Sequence, residues 1–277
     1  MIKIGGYNTL HVVRSTSVGV FLHDGAGTEI LLPNKYVPKD IQINQELRVF
    51  CYLDHEERPV ATTLSPSVIR GQFAHLKVAQ LTKVGAFLDW GLEKQLLVPF
   101  IEQRERMIEG QSYLVYCFLD PKTFRLVASS KIDKFLSKVE HQYAENDSVD
   151  LLIARKTNIG WEVIIDNAYK GLLFYSDVFR TLKIGDKRTG FIKRVRRDRK
   201  IDVSLEPIGS KMLNVAADHI LEELRKNDGF LPLHDKSSPN AIKGMLEISK
   251  KAFKKGIGVL YKQRKIVLLS DGIQLKK

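Results

Sequence analysis

Cysteine is scarce in this sequence, and no hydrophobic run is long enough to cross a bilayer. The two cysteines, Cys51 and Cys117, lie in alternating, strand-like segments at equivalent positions of an internal repeat. We therefore expect small buried side chains rather than a disulfide or a metal site. Residues 1–6 lack the apolar region of a signal peptide. These absences predict a soluble, cytoplasmic protein without a membrane partner.

Sequence patterns of catalysis are also missing. Residues 25–28 (GAGT) follow a predicted strand, but no Gly-Lys-Ser/Thr ending or helix comes after them, so they are predicted to form a hairpin turn. The seven histidines form no pair at the spacing of metal ligands, and the adjacent acids Glu56-Glu57 and Glu222-Glu223 fall in predicted turns or on helix faces. We expect no catalytic site, no metal and no cofactor, and a protein that is not an enzyme.

Acidic residues become relatively scarce toward the C-terminal end. The formal net charge is +12. Residues 1–66 contain 6 basic and 7 acidic residues, whereas residues 207–277 contain 14 basic and 7 acidic residues. Such an excess of basic residues is typical of a protein with a polyanionic partner, either nucleic acid or an anionic membrane. A solvated, lysine-rich surface explains the excess equally well.

The most informative feature that is present is a repeat. Residues 18–22 (VGVFL) return as residues 84–88 (VGAFL), a shift of 66, and a further shift of 75 carries Gly85 onto Gly160. This period is too long for a helical solenoid and suits a small β domain. The sequence therefore predicts three tandem β units.

Each unit is predicted to contain five strands with a short helical piece after the third, which is the strand order of an oligonucleotide-binding (OB) barrel. The predicted barrels cover residues 1–65, 66–132 and 146–206. Apolar residues at helical spacing predict a helix between the second and third barrels, namely Ile132, Phe135, Leu136 and Val139. The fold class is thus mainly β with a small α/β tail.

Residues 210–277 change to a helical pattern. Ser238 precedes a proline at a predicted helix start, Ser249 caps a third helix, and Asp271-Gly272 is a two-residue hairpin turn between two short strands. Three helices followed by a β hairpin is the order of a winged helix, a variant of the helix-turn-helix.

These motifs resemble known families. Residues 85–88 (GAFL), 97–99 (LVP) and 126–129 (LVAS) resemble the S1-type RNA-binding repeat of the largest protein of the small ribosomal subunit. Three such repeats ahead of residues 249–255 (SKKAFKK) in a winged helix resemble the bacterial conserved virulence factor B family. The resemblance implies a cytoplasmic RNA-binding protein that influences gene expression after transcription.

The S1 resemblance also points to aromatic side chains. The family places an aromatic residue on the second strand, where this sequence has Phe21, Phe87 and, in the third repeat, Glu162. The slot on the third strand holds proline in two repeats and Phe174 in the third. Phe21, Phe87 and Phe174 are therefore candidate platforms for stacked bases, and packing against a neighbouring barrel is an equally weighted role for the first two. Packing is the favoured role for the remaining outward aromatics, Phe50, Tyr52, Tyr116 and Phe118.

Clustered cations are the other candidates. Eight lie on the fourth and fifth strands of the third repeat and in their loop, where we favour phosphate contact over a solvated hairpin tip: Lys187, Arg188, Lys193, Arg194, Arg196, Arg197, Arg199 and Lys200. Seven more lie in the predicted third helix and before the wing: Lys250, Lys251, Lys254, Lys255, Lys262, Arg264 and Lys265. Lysine suits phosphates better than base edges, which favours binding of RNA without sequence specificity.

Three functions remain under consideration. The leading hypothesis is a monomeric, non-enzymatic, post-transcriptional regulator that binds single-stranded RNA through its third barrel and winged helix. The first alternative is a transcription regulator that binds DNA through the winged helix. The lack of an obvious dimerisation helix counts against it. The second alternative is an adaptor whose barrels dock onto proteins or the ribosome.

Overall fold

A computed structural model describes residues 1–208 and 211–276 of the chain, with backbone only for residues 211–214. The chain divides into two compact units, Met1–Leu136 and Ser137–Lys277. The predicted limits of the last domain, residues 210 and 277, lie outside the described residues. No helix among the described residues has the length and apolar character that a bilayer crossing requires.

Fifteen strands form three closed five-stranded barrels, which confirms the predicted architecture. Barrel 1 consists of β1 (Gly6–Ser15), β2 (Gly19–His23), β3 (Glu29–Pro33), β4 (Glu46–Leu53) and β5 (Pro59–Thr62). Barrel 2 consists of β6 (Phe73–Leu81), β7 (Gly85–Asp89), β8 (Leu96–Pro99), β9 (Ser112–Leu119) and β10 (Leu126–Ser129). Barrel 3 consists of β11 (Ser148–Lys156), β12 (Gly160–Ile165), β13 (Tyr169–Phe174), β14 (Lys187–Val195) and β15 (Ile201–Ser204). In each barrel the third and fifth strands pair in parallel.

The short helical piece expected after the third strand is a single 3₁₀ turn in all three barrels, at Asn34–Tyr36, Phe100–Glu102 and Tyr175–Asp177. Apolar side chains that alternate along the strands fill each interior, as Val115 and Cys117 do on β9. The predicted burial of Cys51 and Cys117 is confirmed, since both thiols are free and buried.

The glycine at the start of each second strand explains why the repeat is visible in the sequence. A Cβ atom on Gly85 would lie 2.3 Å from the carbonyl oxygen of Val98 on the neighbouring strand, and Gly19 and Gly160 meet the same obstacle. Only a residue without a side chain permits this approach of two backbones. Each barrel closes in the same way and therefore requires glycine at the same position.

Barrels 1 and 2 share a hydrophobic core. Phe50 and Tyr52 point outward from β4, yet both are buried against barrel 2. The ring of Phe50 lies edge-on to Trp90 with 5.8 Å between ring centroids. A backbone hydrogen bond of 2.8 Å from Arg70 N–H to the Gly5 carbonyl joins the same two barrels. The predicted packing role of Phe50 and Tyr52 is confirmed.

The prediction of a helix between the second and third barrels is wrong. Only one 3₁₀ turn, Ile132–Lys134, forms there. Phe135 instead stacks on Tyr116 of β9 at 4.3 Å and contacts Phe118 at 5.0 Å, so its ring covers part of the outside of barrel 2. Val139 is 75% exposed, so the predicted apolar stripe does not continue as one buried face.

The C-terminal region is a winged helix, as predicted. Its elements are α1 (Lys211–Lys226), β16 (Phe230–Leu231), α2 (Pro239–Leu246), α3 (Lys250–Lys262), β17 (Ile266–Leu268) and β18 (Ile273–Leu275). The hydroxyl of Ser238 accepts a hydrogen bond from Ala241 N–H at 3.1 Å, and that of Ser249 accepts one from Ala252 N–H at 3.0 Å. Both predicted caps are therefore confirmed. We call the β17–β18 hairpin the wing.

Barrel 3 and the winged helix are joined through the start of α3. The Glu206 carboxylate accepts hydrogen bonds from the Ser249 backbone N–H at 3.2 Å and from its hydroxyl at 3.3 Å. Burial raises the pKa of Glu206 above its usual range. The Lys243 ammonium also donates to the Val178 carbonyl at 3.4 Å. These contacts set the position of the capped end of α3 relative to the barrel.

Candidate nucleic-acid interface

The cations of α3 lie on the side of the helix that faces away from the core. Phe253 and Ile257 are buried on the inner side, whereas Lys251, Lys254 and Lys255 are exposed and Lys250 is half-buried. None of these four lysines takes part in an ion pair with another of the described residues. Their positive charge is therefore available to a ligand.

The position of these lysines is unfavourable for the helix itself. The first turn of α3 carries no acidic residue and begins with Lys250 and Lys251. The N-terminal end of a helix has a partial positive charge and stabilises anions, so lysines there cost some helix stability. Residues that oppose the local preference of their helix, with no compensating contact within the fold, are typical of a functional site.

The cationic surface continues toward the wing. Lys262, Arg264 and Lys265 are exposed at the end of α3 and before β17, and none forms an ion pair within the described part of the chain. Together with the four lysines at the start of α3 they form a set of seven cations, which we call the lysine surface: Lys250, Lys251, Lys254, Lys255, Lys262, Arg264 and Lys265. The structure places all the predicted winged-helix residues on this one domain.

An exposed aromatic side chain beside the lysine surface escaped the sequence analysis. Tyr261 is 56% exposed and directly precedes Lys262. It lies off the buried stripe of α3, which runs through Phe253, Ile257 and Leu260. An aromatic residue that does not follow the apolar spacing of its helix is predicted to be exposed, and this pattern could have identified Tyr261 from the sequence.

The cations of barrel 3 are more neutralised than the sequence suggested. Only Asp186 and Asp198 lie among them in the sequence, but the fold adds three further acids. Five of the eight cations form ion pairs: Arg188 with Asp186 (3.2 Å), Lys193 with Asp177 (2.6 Å), Arg196 with Asp202 (2.7 Å), Arg199 with Glu140 (3.7 Å) and Lys200 with Asp198 (2.8 Å). Lys187, Arg194 and Arg197 are exposed and have no ion pair with a described residue.

Phe174 lies next to two of the paired cations. Its half-buried ring has the Lys193 ammonium at 6.0 Å and the Arg196 guanidinium carbon at 5.7 Å from the ring centroid. Asp177 and Asp202 hold these cations in place. The structure thus brings an aromatic ring and two positioned cations together on barrel 3.

The corresponding aromatics of barrels 1 and 2 have different surroundings. The guanidinium of Arg14, paired with Glu29 at 2.6 Å, lies 3.9 Å from the ring centroid of Phe21 and covers it. Phe87 is half-buried and lines a cavity of about 240 Å³ next to residues of barrel 1, including Tyr52. In barrel 3 the equivalent Glu162 is buried and forms ion pairs of 2.5 Å with both Arg155 and Lys170. Stacking by Phe21 or Phe87 stays a prediction.

Groups for metal binding or thiol chemistry are not assembled in the described residues. No cluster of three or more His, Cys, Asp or Glu side chains there could hold a metal ion. Burial raises the pKa of both Cys51 and Cys117 to about 12, so each thiol stays protonated at neutral pH. A protonated, buried thiol is not a nucleophile.

Comparisons with known proteins agree with this architecture. Residues 218–275 match the sequence model of the CvfB-like winged helix domain, and residues 4–64 match that of the S1 domain. The chain is 29% identical over 265 residues to the uncharacterized protein YitL of Bacillus subtilis (strain 168), covering 93% of this chain and 89% of that protein. It is 26% identical over 284 residues to conserved virulence factor B of Staphylococcus aureus (strain N315), covering 99% and 94%.

Among solved structures, the chain is similar to a multidomain protein with nucleic acid binding domains from Streptococcus pneumoniae. The identity is 24%, the TM-score is 0.42, and the match covers 99% of this chain and 98% of the other.

Proposed function

Because the chain belongs to the conserved virulence factor B family, we propose that it regulates gene expression by binding single-stranded RNA through barrel 3 and the winged helix. The S1 and winged helix domains support nucleic-acid binding in general. The finer proposal is a cytoplasmic monomer that acts on RNA after transcription and has no enzymatic activity.

The lysine surface is the observation that carries the proposal. Seven cations lie on one domain, and none is neutralised by an acid within the described residues. Lysine is a strongly hydrated point charge that binds phosphate oxygens and discriminates poorly among base edges. Such a surface holds a polynucleotide backbone whatever its sequence.

Barrel 3 supplies the preference for a single strand. A ring such as Phe174 can stack only on a base that is not already stacked and paired in a duplex. Lys193 and Arg196 beside the ring can contact the adjoining phosphates. The Glu206–Ser249 contacts join barrel 3 to α3, so one RNA strand that reaches both surfaces binds more tightly than either surface alone would allow.

Replacing Phe174 by leucine should weaken RNA binding without unfolding the barrel. Leucine retains an apolar side chain at this half-buried position but removes the flat ring, and the loss of one stacked base costs about 1–3 kcal/mol. The measurement is fluorescence anisotropy with a labelled oligouridylate, together with a melting curve of each protein. Phe174→Tyr keeps the ring and should bind as the wild type does. Equal affinities of the wild type and the leucine variant would exclude Phe174 as a stacking residue.

A DNA-binding transcription regulator fits the exposed face of α3 less well. Specific readout in the major groove relies mainly on bidentate Arg, Asn and Gln side chains. The helix between Lys250 and Lys262 contains none of these three residue types. We therefore place DNA binding second, and docking to proteins or the ribosome third.

The function is tested by competition between nucleic acids. A labelled oligouridylate bound to the full chain is displaced by unlabelled oligouridylate or by a DNA duplex of equal length, at several salt concentrations. We expect the single-stranded RNA to compete better and the affinity to fall steeply with added salt. Equal or better competition by the duplex would contradict the proposal and favour the transcription regulator.

A further inference from the structure

The sheet of the winged helix has an exposed edge, whereas the barrels have none. All fifteen barrel strands belong to closed sheets. The strand order of the winged helix is β16–β18–β17, so β17 is an outer strand, and its second side pairs with no strand in the part of the chain that the structure describes. An unpaired edge presents backbone N–H and C=O groups that can bond to a strand of another chain.

The side chains of β17 do not protect this edge. Proteins usually guard an exposed edge with charged side chains or proline, and residues 266–269 (IVLL) contain neither. Val267, Leu268 and Leu269 are 40%, 44% and 38% exposed. Three consecutive exposed apolar residues on an outer strand are unfavourable in water unless they have a partner.

The hydrogen bonds of the wing show which backbone groups point to the free edge. Leu269 N–H donates to the Gly272 carbonyl at 2.8 Å, so Leu269 faces β18. Hydrogen-bonded positions alternate along an antiparallel pair, and Ile266 and Leu268 therefore face away from β18. The N–H and C=O groups of Leu268, in the middle of the exposed apolar run, are thus available to a second strand.

A second copy of the same strand fits this edge. Two antiparallel copies of β17, related by a two-fold axis at Leu268, exchange both backbone hydrogen bonds of that residue. The same register places Val267 opposite Leu269 of the other copy. The exposed apolar side chains of the two strands then cover one another, which is the usual source of stability in a sheet.

The charges at the two ends of the strand favour the same register. Lys265 precedes β17 and Asp271 lies in the turn of the wing; both are exposed, and neither forms an ion pair with any residue of the described ranges. With the axis at Leu268, each Lys265 comes opposite Asp271 of the other copy, which gives two ion pairs. An axis at Val267 would lose both. Opposite charges across two strands are favourable, so the edge complements a second copy of itself.

The contact is too small to hold two free chains together. β17 has three residues, whereas a stable interface takes roughly 20–30 residues from each partner. Two chains on one polynucleotide have an effective concentration in the millimolar range, at which a weak contact forms. We propose that the free edge of β17 pairs two copies of the chain on the same RNA, so that they bind cooperatively.

This inference rests on the proposed function, because RNA supplies the high local concentration. It goes beyond that function by assigning a partner to the wing. The pairing uses only Lys265 of the lysine surface, so the other six cations of that surface stay available to phosphates. The free chain remains the monomer proposed above.

Disulfide formation in the full chain tests the pairing. In Leu268→Cys the two introduced residues have Cα atoms about 5.5 Å apart across the axis, a distance that a disulfide can bridge. Diamide is the oxidant and takes up the two thiol hydrogens, and the buried Cys51 and Cys117 give little background. Gln274→Cys is the matched control, because Gln274 is exposed on β18 and the two copies of that strand are about 14 Å apart.

The experiment compares a long and a short oligouridylate, of about 60 and about 15 nucleotides, since one barrel covers about 4–16 nucleotides. Only the long strand can hold two copies. We expect the crosslinked fraction of Leu268→Cys to be at least about tenfold higher on the long strand than on the short one, because linkage raises the effective concentration. Gln274→Cys should show no such increase.

A charge reversal tests the register. Asp271→Lys, made in the Leu268→Cys chain, places like charges at both ends of the paired strands and should lower crosslinking on the long strand at least about threefold. Asp218→Lys makes the same change in net charge on the exposed side of α1 and should leave crosslinking intact. Equal losses in the two variants would contradict the register centred on Leu268.

Fluorescence anisotropy with the short strand separates the two proposals, because it reports RNA binding by a single chain. If the short strand binds but the long strand adds no crosslink to Leu268→Cys, or adds as much to Gln274→Cys, the pairing is overturned and the proposed function stands. If neither strand binds, the proposed function fails. Oxidation of the protein alone at millimolar concentration then decides the pairing: a crosslink specific to Leu268→Cys supports it, and the lack of one overturns it.

Discussion

Replacing Lys250, Lys251, Lys254 and Lys255 together by glutamine is expected to remove most of the salt dependence of RNA binding. Each lysine–phosphate contact with a single strand contributes about 0.7 to the slope of log affinity against log salt, because binding releases a condensed counterion. Since the variant cannot form four of these ionic contacts, the affinity of the wild type should fall about 50-fold more than that of the variant between about 50 and 200 mM salt. Fluorescence anisotropy with a labelled oligouridylate measures both slopes.

The control for this experiment carries the same change in net charge on the other unit. Lys39, Lys77, Lys83 and Lys122 are exposed and take no part in an ion pair within residues 1–208 and 211–276. Their replacement by glutamine should leave the slope almost unchanged, because the slope counts the phosphates that are neutralised by direct contact and the proposed contacts are on the second unit. Equal slopes for the two quadruple variants would mean that net charge, and not the lysine surface, attracts the RNA.

The barrels and the winged helix could be predicted because their signals are local. Gly19, Gly85 and Gly160 recur since each barrel needs a close backbone approach at the same place. Ser238 and Ser249 mark helix starts because a side-chain oxygen must accept an otherwise unpaired backbone N–H. Signals of this kind need only a few neighbouring residues, and here they agree with the packing.

The ion pairs that neutralise the cations of barrel 3 could not be predicted in the same way. Asp177 lies 16 residues from Lys193, and Glu140 lies 59 residues from Arg199, yet the barrel places each pair within 4 Å. Sequence neighbours alone therefore overstated the free positive charge of residues 187–200. The α3 lysines escaped this error because the outer face of a surface helix meets solvent rather than another strand.

The segment of residues 137–141 illustrates the same limit. Residues 137–141 have no regular structure, and their apolar spacing suggested part of a helix. Their position against barrel 3 depends on contacts such as those of Ser137 with Ala168 and of His141 with Arg199, none of which leaves a pattern in the sequence. The position of such a segment becomes visible only in the fold.

Phe50→Ala is expected to destabilise the first unit by about 3–5 kcal/mol, the usual cost of removing a fully buried phenylalanine. Phe50 is completely buried, and its ring contacts Trp90 at 5.8 Å and Tyr7 at 5.7 Å between centroids. Alanine leaves a cavity between barrels 1 and 2, where neither barrel can fill it alone. Urea unfolding followed by Trp90 fluorescence measures the loss, in a Trp161→Phe background that removes the second of the two tryptophans.

Phe21→Ala is the matched control, because Phe21 also points outward from barrel 1 but is only half-buried under Arg14. It should cost about 1 kcal/mol, mostly from the missing cation–π interaction. The two variants separate the two roles that outward aromatics can have in a tandem barrel protein. A loss below about 1.5 kcal/mol for Phe50→Ala would contradict a shared core, since truncation of a buried ring costs at least twice that amount when its surroundings cannot collapse. Weakened RNA binding by folded Phe50→Ala would equally contradict a purely structural role.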